Sequence, residues 1–190
     1  MDRLSALIIV IALAGCDSGK QEPAPGRADT TKVAKKDVST AAFCDVEFKG
    51  TSGPKFTVPK LVGGDIAPSA STWRWINVWA TWCRPCVEEM PRLARWREKL
   101  GAKYELSFIS VDENEADVVE FKKEHPDAPA SPRLAEPAKQ ADWYVSLGLD
   151  GGAPVPIHIF VEPSGHVRCA RAGGVREQDL PAIEKLLAGQ

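Results

Sequence analysis

The segment Trp82-Cys83-Arg84-Pro85-Cys86 constrains this chain more than any other, because it sets two thiols where one hydrophobic periodicity gives way to another. Before it, Trp73 to Trp79 is an apolar and aromatic run enclosing Ile76 and Val78, the pattern of a central strand. After it, Met90, Leu93, Trp96 and Leu100 recur at helical spacing opposite Arg92, Arg95 and Lys99, which predicts a helix over Arg84 to Leu100. One helical turn brings both sulfurs into bonding reach. Cys83 then falls at the exposed helix start, where free N–H groups and the positive helix pole favour a thiolate, so it is the expected nucleophile. Cys86, inside the first turn, is the expected resolving thiol. Pro85 suits the first turn, where its missing N–H leaves nothing unpaired. Arg84 adds positive charge, weakened by solvent. Pro91, deeper in the helix, predicts a kink.

The rest of the pattern continues the alternation of strand and helix. Tyr104 to Val111 reads as a second strand, and Asp112 to Asn114 offers caps for a helix over Glu115 to Glu124. Pro126, Pro129, Pro132 and Pro137 enforce a loop, with a short helix over Ala138 to Leu147. Ile157 to Val161 and Val167 to Ala172 flank Glu162-Pro163-Ser164-Gly165, an antiparallel hairpin with its turn. A last helix runs over Glu177 to Ala188, turning Leu180, Ile183 and Leu187 inward. Cys44 to Val58, alternating but broken by Gly50, Gly53 and Pro54, reads as a small hairpin ahead of the main sheet. Together these predict an α/β fold, a mixed sheet with helices packed over it.

With 44% apolar and 26% charged residues, the 190-residue chain holds one core of ordinary size. Its 24 basic and 26 acidic side chains give a net charge of -2, so nothing draws it to a polyanion, and no nucleic-acid partner is expected. Leu4 to Ala14 is apolar apart from Ser5 and too short to span a bilayer. It closes on Leu13-Ala14-Gly15-Cys16, which resembles a bacterial lipoprotein signal with Cys16 as the lipidated residue. Residues 1–15 are then the signal peptide and 16–40 a lipidated cysteine with a flexible tether too polar to repay ordering. Residues 41–190 are the folded domain. Asp17 resembles an inner-membrane retention signal of some Gram-negative bacteria. The expected location is extracytoplasmic, on the periplasmic face of a bacterial membrane, held through lipid on Cys16.

A C-x-x-C pair is also half of a zinc site. His125, His158 and His166 are isolated in sequence and no second close cysteine pair follows, so zinc is the weaker reading. Haem attachment of the common type needs histidine after the second cysteine, where Val87 stands. Dithiol–disulfide exchange needs neither a metal nor an organic cofactor.

The block Asn77-Val78-Trp79-Ala80-Thr81-Trp82-Cys83-Arg84-Pro85-Cys86 with Glu89-Met90-Pro91 resembles the membrane-associated thioredoxin-like disulfide reductases of the TlpA, ResA and cytochrome c maturation group. Val155-Pro156-Ile157-His158-Ile159-Phe160-Val161, Gly165-His166-Val167 and Gly173 extend the likeness from about Phe56 to the C-terminus. The resemblance implies a thioredoxin-like fold, with Pro156 in a cis bond facing the cysteine pair and the Val155 backbone pairing with a substrate polypeptide. Trp82, Arg84 and Pro85 belong to the same docking surface. Asn77 matches the position of the buried acid of ordinary thioredoxins, and Glu89 matches an active-site glutamate, which implies a proton-transfer or thiol-tuning role. Glu88 is adjacent, and only one of the two can face the site.

The function so implied is reduction of disulfides in exported proteins, in a setting such as cytochrome c maturation, with electrons from a membrane thiol–disulfide donor. A disulfide oxidase or isomerase uses the same thiols, copper delivery is the alternative of another class, and peroxide reduction is a further enzymatic one. Cys44 and Cys169 remain: a structural disulfide between them, two separate buried thiols and a second redox pair all fit.

Overall fold

The computed structural model describes residues 39–66 and 71–189. The signal-like run, Cys16 and the tether up to residue 38 lie outside the described residues. The chain opens with α1 (Thr40–Phe43), β1 (Val46–Glu47) and β2 (Leu61–Val62). It continues through β3 (Trp73–Trp79), α2 (Arg84–Leu100), β4 (Tyr104–Ser110), α3 (Glu115–Glu124) and β5 (Arg133–Leu134). It ends with α4 (Gln140–Ser146), β6 (Ile157–Val161), β7 (Val167–Ala172) and α5 (Leu180–Leu187).

The seven strands form one sheet in the order β1-β7-β6-β3-β4-β5-β2. β3 pairs parallel with β4 and antiparallel with β6, and both faces of its apolar run are covered. Right-handed crossovers from β3 to β4 and from β4 to β5 set α2 and α3 on one face. Trp75 and Trp79, which share that face by alternation, confirm it: Trp75 packs on Trp96 of α2 at 6.1 Å and Trp79 on Phe121 of α3 at 5.0 Å. Trp75 also meets Phe160 of β6 at 4.9 Å. Helix α2 spans Arg84–Leu100 with Pro91 inside it, the bounds its pattern indicated, and buries Met90, Leu93 and Trp96 on the side its spacing indicated.

The expected hairpin over Cys44 to Val58 does not form. Instead β1 pairs with the outer edge of β7 and β2 pairs with β5 at the opposite edge. Alternation identifies a strand but not its neighbour. The free edge of β7 supplies the partner: Asp45 N–H donates to the Ala170 carbonyl at 3.0 Å and Phe48 N–H to the Arg168 carbonyl at 2.9 Å. After β1 the chain runs over this edge so closely that a Cβ on Gly53 would lie 1.9 Å from the Val167 carbonyl oxygen. Gly53→Ala is therefore expected to destabilise the domain by roughly 1–3 kcal/mol through overpacking alone, since its extended backbone suits alanine. A urea midpoint equal to that of the parent chain would refute this.

Candidate redox site

Cys83 is the N-cap of α2, with extended backbone, and Pro85 stands within the first turn. The Cys86 N–H points at Cys83 Sγ at 3.3 Å, and the Val87 N–H donates to the Cys83 carbonyl at 3.2 Å. In the reduced form that Cys86 N–H is in place to stabilise a Cys83 thiolate, as an N-cap oxygen would be stabilised. Here the two sulfurs are joined at 2.01 Å, with Cα atoms 5.3 Å apart.

Cys83 is less open than its place at a helix start led us to expect, retaining 4% of its surface against none for Cys86. The covering comes from the loop before β6, which brings the Val155 carbonyl to 3.5 Å from Cys83 Sγ. The Val155–Pro156 bond is cis, so both residues sit where the resemblance implied. Trp82 stands out beside them at 70% exposure, while Trp79 is buried and donates its indole N–H to Ser131 Oγ at 2.9 Å.

Of the neighbouring glutamates, Glu88 faces solvent and pairs with the exposed Arg84 at 2.7 Å, so the Arg84 charge is shared with a carboxylate instead of acting on the thiols alone. Glu89 is buried and aimed at the sheet. Its Oε1 accepts from Asn77 Nδ2 at 2.8 Å and its Oε2 from the Val175 N–H at 2.9 Å. Asn77 and Glu89 thus meet under the first turn of α2. Gly174 passes close to the same carboxylate: a Cβ there would lie 3.3 Å from Glu89 Oε2, a tight contact.

Two further contributors escape a reading of spacing. Asp112, expected only as a capping choice, is buried and clamps the turn ahead of Cys83. Its Oδ1 accepts from Thr81 Oγ1 at 2.7 Å, and its Oδ2 accepts from Ser110 Oγ at 2.6 Å and from the Thr81 N–H at 3.0 Å. His158 stands opposite Asn77 in the β3–β6 register and is fully buried. Cys44 and Cys169 are joined to each other far along the chain, with a separation of 125 residues and Cα atoms 5.6 Å apart.

The family model described as AhpC/TSA family matches residues 50–170. Among curated proteins, the thiol:disulfide interchange protein DsbE homolog of Paracoccus denitrificans is 29% identical over 121 residues, covering 60% of this chain and 62% of that protein. The thiol-disulfide oxidoreductase ResA of Bacillus cereus is 33% identical over 121 residues, covering 62% and 66%. The chain thus spans a little under two thirds of the length of these relatives. Among solved structures, a putative thiol:disulfide interchange protein DsbE from Chlorobium tepidum superposes with a TM-score of 0.55 at 23% identity, covering 76% of this chain and 99% of that one. A thioredoxin-like protein in its oxidised form gives 0.54 at 17% identity, covering 72% and 95%. The fold is thioredoxin-like.

Proposed function

The chain belongs to the AhpC/TSA family, and from that premise we propose that it is a thiol–disulfide oxidoreductase that reduces disulfides in exported proteins through Cys83 and Cys86. The observation that carries the reading is the asymmetry of the pair: Cys83 caps a helix beside an exposed tryptophan, and Cys86 is sealed beneath it. Cys83 thiolate attacks one sulfur of the substrate disulfide, and the other leaves as a thiolate. Cys86, once deprotonated, attacks Cys83 Sγ; the bond to the substrate breaks, its electron pair leaves on the substrate sulfur, and the Cys83–Cys86 bond closes. Glu89, one turn further along α2 and buried, takes the Cys86 proton. Val155 offers its backbone to the substrate polypeptide and Pro156 shapes the surface beside the sulfurs.

Names borne by the relatives, interchange protein and thiol-disulfide oxidoreductase, support this chemistry. A place in cytochrome c maturation, recharging by a membrane thiol–disulfide donor, and anchoring through lipid on Cys16 complete the proposal. The last accords with the Leu13-Ala14-Gly15-Cys16 sequence.

The reduction potential of the Cys83–Cys86 couple tests the direction. A value near that of thioredoxin, about −270 mV, agrees with a reductant, whereas one near about −120 mV makes the protein an oxidant and overturns the proposal. Trp82 tests the docking surface. Trp82→Ala is expected to lower kcat/KM on a protein disulfide roughly tenfold, the effect of losing an aromatic anchor, while reaction with a small disulfide and the thermal midpoint stay unchanged. Equal losses on both substrates would remove Trp82 from the docking surface.

A further inference from the structure

Beneath the cysteines lies a buried polar chain that the exchange reaction as described does not use in full. Trp75 Nε1–H donates to His158 Nδ1 at 3.1 Å. An indole nitrogen can only donate, so Nδ1 is an acceptor and the neutral ring carries its proton on Nε2. That Nε2 lies 3.3 Å from Glu89 Oε1 without being aligned on it as a hydrogen bond, and Asn77 Oδ1 likewise has no partner. His158 and Asn77 are fully buried and Glu89 is nearly so. A group in water would leave nothing unpaired; here one donor and one acceptor stand idle beside a carboxylate. The carboxylate already accepts from Asn77 Nδ2 and the Val175 N–H, and His158 Nε2–H at 3.3 Å is a further donor within reach of its Oε1.

We propose that His158 is a positioning residue for the exchange reaction: with its proton held on Nε2 by Trp75, it secures Glu89 as the group that takes and returns the Cys86 proton. The inference rests on the exchange function proposed above and on the role given there to Glu89. In the resolving step the Cys86 S–H proton passes to the Glu89 carboxylate, and the thiolate attacks Cys83 Sγ. The Cys83–substrate bond breaks and its electron pair leaves on the substrate sulfur. On re-reduction the proton returns to Cys86.

The other groups facing His158 leave it to this task. From β3 come Trp75 and Asn77, whose Nδ2 lies 3.5 Å from His158 Nδ1, and from α2 comes Glu89. Arg171 of β7 stands opposite His158 in register but is turned away, donating to the Phe43 carbonyl at 2.6 Å with its guanidinium 4.8 Å from the Phe43 ring centre. Tyr104 of β4 packs on Trp75, and burial pushes its hydroxyl up to about 12, so it stays neutral.

The test follows the resolving step alone. A mixed disulfide between Cys83 and a small thiol is prepared on the purified protein, and closure by Cys86 is timed from about pH 5 to about pH 9. His158→Leu is expected to slow closure about tenfold on the acid limb and move that limb upward by about one pH unit, since a carboxylate that loses a donor holds its proton more tightly. Attack by Cys83 on the small disulfide stays within about twofold of the parent rate. His158→Gln, whose amide can accept from Trp75 and donate to Glu89, restores the limb. In a Glu89→Gln background His158→Leu adds nothing. Trp75→Phe, which removes the indole N–H and keeps an aromatic ring, moves the limb the same way and serves if His158→Leu does not fold. An unmoved limb in the variants, or equal slowing with Glu89 and with Gln at residue 89, overturns the proposal. A parent protein that closes its mixed disulfide normally but reduces no protein disulfide overturns the proposed function and leaves the role of His158 standing.

Discussion

Cys83→Ser is expected to abolish disulfide reduction, lowering turnover by on the order of 10⁴-fold, while Cys86→Ala stops turnover at a different point and leaves a covalent record. The difference follows from the surroundings of the two sulfurs. Cys83 caps α2, receives the Cys86 N–H and borders the exposed Trp82, so a thiolate there is stabilised, and of the two sulfurs it belongs to the residue that keeps some accessible surface. Cys86 has no accessible surface and cannot take over when Cys83 is lost. With Cys83 replaced, no adduct forms with a protein disulfide. With Cys86 replaced, the first attack proceeds and nothing displaces the substrate, so one mixed disulfide per chain accumulates, at Cys83. Intact-mass measurement after incubation with a disulfide-containing protein reads both outcomes. Equal adduct yields from the two variants would show that the sulfurs are interchangeable, and the assignment of nucleophile and resolving thiol would fall.

What made this site legible is that its parts are local. Two cysteines at C-x-x-C spacing between an apolar run and an amphipathic stripe specify a strand, a cap and a helix, and β3, α2 and β4 follow from periodicity at nearly their observed bounds. The resemblance points to Glu89 over Glu88, and the helix rotation agrees, burying Glu89 while Arg84 holds Glu88 on the outer face. Val155 and Pro156 lie far along the chain from the cysteines and came from the resemblance, since no spacing links a loop to a helix cap across two strands. His158 meets Asn77 because β3 and β6 pair in one register, and register is set by the whole buried face. Asp112 looked like one of several polar residues before a helix, and its clamp on Thr81 depends on β3 and β4 ending side by side. The two-residue strands β2 and β5 carry too little pattern to be seen, although Leu61 and Leu134 face each other at that edge.

Replacing Cys44 and Cys169 together by alanine is expected to cost about 5 kcal/mol of stability under oxidising conditions, the value for closing a loop of this length in the unfolded chain. The native contacts around this disulfide are modest by comparison: α1 and the two residues of β1 lie along the outer edge of β7, with Arg171 over Phe43 and Phe43 edge-on to Phe160. Cys169 is fully buried in β7 and Cys44 is the C-cap of α1, so neither stands at a helix N-terminus and the bond lacks the setting that makes Cys83 reactive. The double variant should therefore keep its rate of exchange through Cys83 and Cys86 at temperatures where it stays folded; a changed reduction potential for that pair would instead mark Cys44 and Cys169 as a second redox couple. Urea unfolding separates the structural explanations. Removing a cross-link lets the unfolded chain expand and expose more surface, so the midpoint falls and the slope m rises. A midpoint that falls while m stays constant has a different origin, lost packing around residue 169, because releasing a constraint on the unfolded chain would also have raised the surface that unfolding exposes.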